Sequence, residues 1–401
     1  MLVNLLFLSI AVMKILVASH TYIVDLNCEK LRKLSQLQND LEVVVVVPSR
    51  WRPGGVQNKI IEPVTKIEGN FRIVPIENFS ENNQGLLTFK PDIIKLLKQF
   101  QPDVIQVEQG AKSLAYAQLI TLNKLLNLRA KNVFFTWWNL PYKNKFPISL
   151  LEKYNLSNTH GLISGNQDGV NILRNRGYQN RAIVLPQLGV DETLFAPRQQ
   201  PELAQKLDLD RDKFTIGFVG RFVAEKGILT LIKSLANLQD LSWQLLLLGR
   251  GELKTQIEQT ASEIGIKERL TIVESVPHNE VPRYINLMDT LVLPSETTNK
   301  FKTLTATGWK EQFGHVLIEA MASEVTVIGS DSGEIPNVIN DAGLIFPEGD
   351  RETLSHCLRQ LIEKPHLNRE LAAKGYQRAI AKYTNQALAK EQLNFYQELV
   401  S

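Results

Sequence analysis

Two glutamates, Glu311 and Glu319, frame a short segment, WKEQFGHVLIEAMA, whose residue types could bind a polar ligand. Apolar residues after Gly314 recur at helical spacing, so we predict that a helix begins near Phe313 or Gly314. Glu311 then lies in the loop before the helix. Glu319 lies more than one turn inside it, with its side chain directed back toward the helix N-terminus.

The backbone between these two carboxylates could hold a phosphate group. The N–H groups of Phe313, Gly314 and His315 would have no partners at the start of a helix, and such groups attract phosphate oxygens. A glycine also allows a ligand to approach the backbone closely. The two carboxylates could accept hydrogen bonds from hydroxyl groups in different parts of a sugar nucleotide. Two solvated glutamates on an ordinary amphipathic helix would show the same spacing, so spacing alone leaves both interpretations open.

A second polar segment, GRFVAEKG over residues 220–227, follows an apolar run that is typical of a buried strand. Arg221 and Lys226 would bring two cations to the carboxyl end of that strand, where open parallel sheets bind ligands. Positive groups at such a place would stabilise the negative charge that develops on a departing diphosphate. Taken alone, this short pattern does not distinguish a phosphate site from a charged turn.

Both segments together resemble a known family. EQFGHVLIEAMA resembles the E-x7-E signature of the retaining glycosyltransferases of family four, and GRFVAEKG is similar to the family's G-R-x3-E-K-G pattern. The resemblance extends from about Phe214 to Asp350 and is thinner over the N-terminal half. It implies a two-domain GT-B fold. It also implies transfer of a sugar from a nucleoside diphosphate sugar to a hydroxyl acceptor, with retention of the anomeric configuration.

The resemblance assigns roles to individual residues. Glu311 would contact the donor sugar and Glu319 the ribose, while Arg221 and Lys226 would neutralise the diphosphate. Because no Asp-x-Asp stands beside these motifs, we expect neither an obligatory metal nor another cofactor. The other residues that would contact the donor are Gly220, Gly249, Val276, Phe313, Gly314 and His315.

The pattern of apolar runs predicts the fold class. Continuous β-branched runs that alternate with helical patterns indicate parallel strands buried on both faces. Two series of such runs occur, one on each side of a turn-rich segment over residues 185–201, so we expect two doubly wound, Rossmann-like α/β domains that face a cleft. The runs are KILVASH, LEVVVVVPS, PDVIQVEQ, NVFFTWWN, HGLISGN and RAIVLP, then FTIGFVGR, WQLLLLGRG, RLTIVES, TLVLPSE, VTVIGSDSG and AGLIFPEGD.

The expected boundaries divide the chain into three parts. Residues 13–195 form an acceptor-side domain, and residues 196–384 form a nucleotide-sugar-binding domain. Residues 385–401 show helical spacing, and the resemblance implies that this last helix packs back on the first domain. Glu334 follows a glycine turn, and we expect it to cap the helix that comes next rather than to contact the donor. The polar insertion over residues 296–308 is expected to be a mobile lid or an exposed loop.

Composition restricts the class of protein and its partners. The chain has 401 residues, of which 44% are hydrophobic and 22% charged, as in soluble globular proteins. Only two cysteines, Cys28 and Cys357, are present, which favours a reducing, cytoplasmic compartment. Up to Phe195 there are 22 basic and 15 acidic residues. This excess fits an anionic partner, such as the inner face of a membrane or a phosphate-bearing acceptor, or it is accidental. We expect no nucleic-acid partner.

The first twelve residues, MLVNLLFLSIAV, are apolar but lack a basic region and a cleavage site. They are also too short to span a bilayer. We expect an over-extended start of translation, with a membrane-contacting segment as the alternative.

The acceptor side departs from the family pattern. SHTYIVD stands where many members have a glycine pair, and WWN over residues 137–139 stands where they have a histidine. His20, Trp137 and Trp138 could contact an acceptor or serve only packing. The loop SRWRPGGVQN over residues 49–58 could bind an anionic or sugar-bearing acceptor or be an ordinary charged loop. A non-catalytic nucleotide-sugar-binding subunit and a GT-B sugar-nucleotide epimerase therefore remain as alternatives to a transferase in polysaccharide or glycolipid synthesis.

Overall fold

Two largely parallel β-sheets, each flanked by helices, organise the chain in a computed structural model that describes residues 12–53, 59–302 and 305–401. The apolar segment over residues 1–11 and residues 54–58 of the loop discussed above lie outside the described residues.

The N-terminal half forms an eight-stranded sheet and five α-helices in its described residues. The strands are β1 (Met13–Ala18), β2 (Leu41–Pro48), β3 (Lys66–Glu68), β4 (Phe71–Ile76), β5 (Val104–Val107), β6 (Lys131–Thr136), β7 (Gly161–Ser164) and β8 (Arg181–Val184). The helices are α1 (Glu29–Ser35), α2 (Asp92–Phe100), α3 (Leu114–Leu125), α4 (Ile148–Ser157) and α5 (Gln167–Asn175).

The rest of the chain forms a six-stranded sheet, a two-stranded sheet and further helices. The strands are β9 (Phe214–Val219), β10 (Trp243–Leu248), β11 (Leu270–Val273), β12 (Thr290–Leu293), β13 (Thr298–Lys302), β14 (Thr307–Trp309), β15 (Thr326–Ser330) and β16 (Gly343–Phe346). The helices are α6 (Pro201–Lys206), α7 (Ile228–Ser234), α8 (Lys254–Glu263), α9 (Val281–Ile285), α10 (His315–Ala322), α11 (Ile335–Ile339), α12 (Arg351–Glu363), α13 (Pro365–Lys382) and α14 (Asn385–Val400).

The strand order of both sheets is that of doubly wound domains. The first sheet runs β3-β4-β2-β1-β5-β6-β7-β8, and only β3 is antiparallel to its neighbour. The second runs β11-β10-β9-β12-β15-β16 and is parallel throughout. Central strands are apolar on both faces because helices cover both sides of such sheets, as the fully buried Val43–Val47 run of β2 shows. All twelve predicted apolar runs contain strands, so the expected GT-B type α/β fold is confirmed.

The polar insertion differs from its predicted form. We expected a mobile loop over residues 296–308, but β13 and β14 pair as antiparallel strands, with Thr298 opposite Trp309 and Lys302 opposite Thr307. Thr303 and Leu304 lie outside the described residues. The prediction of a loop was wrong because β13 and β14 are short and carry a single apolar residue each, Phe301 and Trp309, so the pattern that marks a buried strand is missing.

The last helix, α14, packs into the core of the N-terminal sheet. Phe395 and Tyr396 are buried there, and the Tyr396 hydroxyl donates to Oε1 of Gln106 on β5 at 2.7 Å. Gly161 on β7 leaves room for this helix, since a Cβ at that position would lie 2.6 Å from Cδ1 of Leu399. The C-terminal end of the chain is therefore part of the N-terminal core.

The chain passes between the two halves at two adjacent points. Val190, on the first passage, forms a parallel bridge with Thr384 on the second. The Val190 amide donates to the Tyr383 carbonyl at 2.8 Å, and the Asn385 amide donates to the Val190 carbonyl at 3.2 Å. These backbone bonds join the two passages directly.

None of the helices in the described ranges is long and apolar enough to cross a membrane.

Removing one hydroxyl should weaken the docking of α14. In Tyr396→Phe, the buried Oε1 of Gln106 loses its donor, so we expect the free energy of unfolding to fall by about 1–3 kcal/mol. Urea denaturation followed by circular dichroism measures this change. Tyr376→Phe on α13, where the side chain is partly exposed, is the matched control and should change stability by less than about 0.5 kcal/mol. Equal effects of the two substitutions would contradict the described role of this bond.

Candidate active site

The carboxyl ends of the C-terminal sheet form an open cleft of about 610 Å³. Four residues predicted to contact the donor line it: Gly220 and Arg221 follow β9, Gly249 follows β10, and Val276 lies beyond β11. Parallel strands all end at the same edge of a sheet, which brings these sequence-distant positions together.

The glycine turn at this edge is required by close packing of the backbone. A Cβ at Gly249 would lie 1.8 Å from the Gly220 carbonyl oxygen, and a Cβ at Gly251 would lie 2.3 Å from the Phe222 carbonyl oxygen. Any larger residue would push the two strand ends apart. Glycine is therefore required at both positions by the close approach of the backbone.

Arg221 directs a cation into open space at the cleft. Its side chain is 61% exposed, and Nη2 lies 3.4 Å from Oε1 of the buried Glu225. A guanidinium held at one edge and exposed elsewhere presents its other N–H groups as a fork that suits phosphate oxygens.

Lys226 and Glu311 form a second cluster beside the cleft. Nζ of Lys226 lies 2.5 Å from Oε2 of Glu311, and the same oxygen accepts a hydrogen bond from the Ser295 hydroxyl at 2.7 Å. Nζ of Lys226 also lies 5.0 Å from the centre of the Trp309 ring. Glu311 is buried, and its charge is balanced by the lysine and the hydroxyl.

A glycine places Lys226 in this cluster. Gly227 has a φ of +63°, and a Cβ there would lie 1.7 Å from the Pro294 carbonyl oxygen. The turn before α7 therefore packs directly on the end of β12. That contact brings Lys226 next to Ser295, which follows β12.

The helix between the two glutamates begins as predicted. Gly314, with a φ of +83°, is the N-cap of α10, which starts at His315, and Glu311 lies in the loop before it. Phe313 is buried and packs on the rings of Trp137 and Tyr383, with centroid distances of 6.0 and 5.8 Å.

Glu319 is a buried acid inside α10. Burial raises the pKa of Glu319 to about 7 because a carboxylate loses its hydration there. Nε2 of His315 lies 3.9 Å from Oε1 of Glu319, which is too far for a hydrogen bond. Partial burial and the nearby His278 lower the pKa of His315, so its ring is neutral at physiological pH.

The predicted donor residues thus fall into two groups at one sheet edge. Gly220, Arg221, Gly249 and Val276 line the cleft, whereas the other predicted residues lie beside it, around the end of β12 and the start of α10. Glu225 joins the groups: its carboxylate contacts Arg221, and its carbonyl accepts from the Glu296 amide at 2.9 Å. The second group consists of Lys226, Glu311, Phe313, Gly314, His315 and Glu319.

The N-terminal domain contacts Glu311 directly. Nδ2 of Asn139, which follows β6, donates to the Glu311 carbonyl oxygen at 2.9 Å. A Cβ at Gly333, whose φ is +58°, would lie 1.8 Å from that same oxygen. The Glu311 backbone is therefore fixed between the two domains.

Glu334 has a different role from the predicted one. We expected it to cap its own helix, but its side chain makes no capping bond to α11. Instead, Oε2 of Glu334 accepts the amide of Gln167, the first residue of α5 in the other domain, at 2.8 Å. A carboxylate at a helix N-terminus is stabilising, and here it joins the two domains.

The residues predicted to contact an acceptor have partners within the protein. The ring of His20 lies 5.0 Å from that of Trp51, and burial lowers the pKa of His20 to about 4. Nε1 of Trp137 donates to Oε1 of Gln187 at 3.0 Å, and Nε1 of Trp138 donates to the Leu140 carbonyl at 2.5 Å.

Sequence reasoning missed three residues that contact Glu311 or its partner. They are Asn139, Ser295 and Trp309. Ser295 lies near the end of a predicted apolar run and was open to prediction from the strand-end rule. Trp309 lies two residues before Glu311, whereas no local pattern relates Asn139 to it.

Comparison with known proteins finds similarity over the second half of the chain. The family model described as glycosyl transferases group 1 matches residues 199–378. The chain is 25% identical over 205 residues to alpha-D-kanosaminyltransferase of Streptomyces kanamyceticus, and the matched segment covers 50% of each protein. It is 30% identical over 188 residues to the capsular polysaccharide biosynthesis glycosyltransferase CapM of Staphylococcus aureus, and the matched segment covers 46% of each protein. The chain spans about half the length of the curated relatives it matches.

Solved structures resemble the chain over both domains. Sucrose-phosphate synthase from Thermosynechococcus elongatus superimposes with a TM-score of 0.66 at 20% identity, over 96% of this chain and 99% of that one. Anabaena HepE in complex with UDP gives a TM-score of 0.67 at 15% identity, over 96% and 100%. At these identities the likeness establishes the GT-B fold alone. Residues 199–378 of the chain, a little under half of it, are similar to the glycosyl transferases group 1 family.

Proposed function

We propose that this protein transfers a sugar from a nucleoside diphosphate sugar to a hydroxyl acceptor, with retention of the anomeric configuration. The Lys226–Glu311–Ser295 cluster carries the proposal, because it sets a buried carboxylate and a cation beside the cleft that holds Arg221. The similarity of residues 199–378 to the glycosyl transferases group 1 family supports it. Structures of Anabaena HepE with UDP and with UDP-glucose support a nucleoside diphosphate sugar as donor.

In this proposal the donor extends along the carboxyl edge of the second sheet. The base lies near the backbone of Val276, and the diphosphate lies between Arg221 and Lys226. The sugar contacts Glu311. The ribose hydroxyls donate to Glu319, which offsets part of the cost of burying that carboxylate. The glycines Gly220 and Gly249 give room for the backbone to approach the nucleotide, and the amides of residues 313–315 face the phosphates.

Transfer then depends on charge at the leaving group. The bond between the anomeric carbon and the diphosphate oxygen breaks, and a bond to the acceptor oxygen forms on the same face of the sugar. The acceptor hydroxyl proton passes to the departing phosphate. Arg221 and Lys226 stabilise the charge that develops on that phosphate. Because Lys226 is bonded to Glu311 before the donor arrives, its cation is already fixed at the site.

We further propose a lipid-linked saccharide as acceptor, in polysaccharide or glycolipid synthesis. Two similar proteins have names of this kind: CapM, and the lipopolysaccharide core biosynthesis glycosyltransferase LpsE of Rhizobium meliloti. The excess of basic residues up to Phe195 supports a cytoplasmic protein that touches the anionic inner face of a membrane.

Removal of the exposed cation should abolish most of the reaction. For Arg221→Ala we expect the rate of nucleoside diphosphate release to fall by about 10²–10³, because one preorganised charge is lost at the leaving group. A panel of nucleoside diphosphate sugars, screened by thermal shift and by coupled release of nucleoside diphosphate, measures this. Arg359→Ala on α12, which removes a surface arginine bonded to Asp240, is the control and should leave the rate unchanged.

The same panel separates the alternatives. A non-catalytic subunit would bind one donor without releasing nucleoside diphosphate in the presence of any acceptor, and an epimerase would change the sugar without an acceptor. If Arg221→Ala and Arg359→Ala behave alike, the diphosphate does not lie at Arg221.

Neutralising Glu319 should stabilise the protein at high pH. The pKa of this acid is raised from 4.5 to about 7 on folding, so its ionisation opposes folding once the pH exceeds the unfolded value, and the full cost is present above pH ~7. Glu319→Gln removes that cost. We expect the free energy of unfolding to rise by about 3 kcal/mol near pH 8 and by less than about 1 kcal/mol near pH 5. Urea denaturation at both pH values measures the difference.

The matched control is Glu258→Gln on α8, where the side chain is exposed. It should change the free energy of unfolding by the same small amount at both pH values. If Glu319→Gln raised the free energy of unfolding by the same amount at both pH values, the carboxyl group of Glu319 would not be buried in its ionised form.

The side chains assigned to the diphosphate should make an added metal unnecessary. We expect treatment with EDTA to leave donor turnover unchanged, because Arg221 and Lys226 supply the positive charge. Turnover with and without EDTA, and after adding Mg²⁺ or Mn²⁺, measures this. A loss of about a hundredfold or more on chelation would show instead that a metal ion supplies the charge.

A further inference from the structure

A second cavity, of about 760 Å³, lies in the N-terminal domain. Residues 109–112 follow β5, and residues 136 and 138 lie at the end of β6, so the cavity opens at the carboxyl edge of the first sheet. Aliphatic side chains from α4 and α5 form much of its wall: Ile148, Leu151, Ile172 and Leu173. The wall is therefore suited to hydrocarbon rather than to a free saccharide.

One short segment joins this cavity to the proposed site of sugar transfer. Thr136 and Trp138 line the cavity, and the next residue, Asn139, donates to the Glu311 carbonyl at 2.9 Å. Thr305, from the C-terminal domain between β13 and β14, also lines the cavity, and its carbonyl accepts from the Lys143 amide at 3.0 Å. The cavity thus lies on the acceptor side of Glu311 and touches both domains.

Lys112 is the only charged residue among the described residues of the lining. Its Nζ lies 4.4 Å from the centre of the Trp138 ring and 3.9 Å from that of Tyr142, and it donates to Oγ1 of Thr305 at 3.1 Å. The neighbouring carboxylate of Glu152 forms an ion pair with Arg176. Burial lowers the pKa of Lys112 to about 8, so the amine is still mostly protonated at neutral pH. A single cation at an apolar wall complements an anion attached to a hydrocarbon chain.

Exposed apolar side chains adjoin the lining in sequence. Leu86 lines the cavity and is 57% exposed. Phe146, which is 81% exposed, stands next to the lining residue Pro147. Large apolar groups left in water beside an apolar cavity indicate that an amphiphile enters there.

We infer that this cavity binds the hydrocarbon chain of a phosphate-bearing lipid acceptor, with the lipid phosphate at Lys112. The inference rests on the proposed function and specifies its acceptor: a chain in the cavity holds the attached saccharide beside Glu311, where its hydroxyl meets the donor sugar. The contact of Asn139 with Glu311 sets the distance between the two ligands.

Calorimetric titration with hexyl, octyl and decyl phosphate, below the concentrations at which they form micelles, tests the inference. We expect the Kd to fall by about fourfold for each added methylene, because each is removed from water. Inorganic phosphate and decanol are the comparison ligands. Both should bind more weakly than decyl phosphate, and Lys112→Met should remove the preference for decyl phosphate over decanol.

Two neighbouring leucines on α4 give a matched pair of variants. Leu151→Asn puts an amide in the cavity wall and should weaken decyl phosphate binding by about tenfold or more. Leu150→Asn changes the adjacent exposed leucine, which does not line the cavity, and should leave the affinity unchanged. Ile172→Trp, which fills the cavity from α5 with an apolar ring, is a second test and should also weaken binding.

The inference is overturned if affinity does not depend on chain length, if inorganic phosphate binds as well as decyl phosphate, or if the Leu150 and Leu151 variants behave alike.

Titration of the same samples with UDP, GDP and ADP reports separately on the donor cleft. If a nucleoside diphosphate binds but no alkyl phosphate does, the cavity inference fails and the proposed transferase stands. If none binds, the proposed function itself fails.

Discussion

The buried carboxylate of Glu311 is the group on which the arrangement of this site depends. A charge removed from water must be matched by partners, and here Lys226 and Ser295 supply them from the ends of two neighbouring strands. The backbone of the same residue is held by Asn139 of the other domain and packs on Gly333. The contacts that balance the charge of Glu311 and hold its backbone therefore also fix the turn before α7, the end of β12 and the distance between the domains.

The two glutamates differ in how their burial is compensated. Glu311 is bonded to a lysine, whereas in the described part of the chain the charged partner of Glu319 is the ring of His315, 3.9 Å away, and burial raises the pKa of Glu319. A group left without compensation inside a helix lowers stability, which natural proteins tolerate mainly where a ligand makes use of it. This contrast fits a site in which one acid is preorganised and the other is completed by the donor.

Much of the fold was predictable from the sequence because its signals are local. Runs such as the valines of β2 are apolar on both faces, and Gly314 marks the start of α10, so strands and this helix follow from periodicity and a single glycine. The strand-end rule placed Gly220 and Arg221 at the edge of the sheet, whereas the resemblance named Gly249 and Val276, and the structure brings all four to one cleft.

The remaining features depend on contacts between distant parts of the chain. Asn139 bonds to Glu311, and Glu334 bonds to Gln167 in the other domain. The residues next to these four in the sequence show no pattern from which either contact could be predicted. The pairing of β13 with β14 escaped prediction for a related reason: the two short strands carry a single apolar residue each, and the bonds that hold the strands are those of the backbone.

The paired passages of the chain between the domains have a mechanical consequence. A single flexible connection would let the domains turn in any direction, whereas here the backbone at Val190 is bonded to that at Tyr383 and Asn385. Because the two connections are bonded to each other here, one cannot bend without the other. Any rotation of one domain against the other must therefore be taken up by both connections beside Val190 and Thr384, and it must break the bond from Asn139 to Glu311 or carry both residues along.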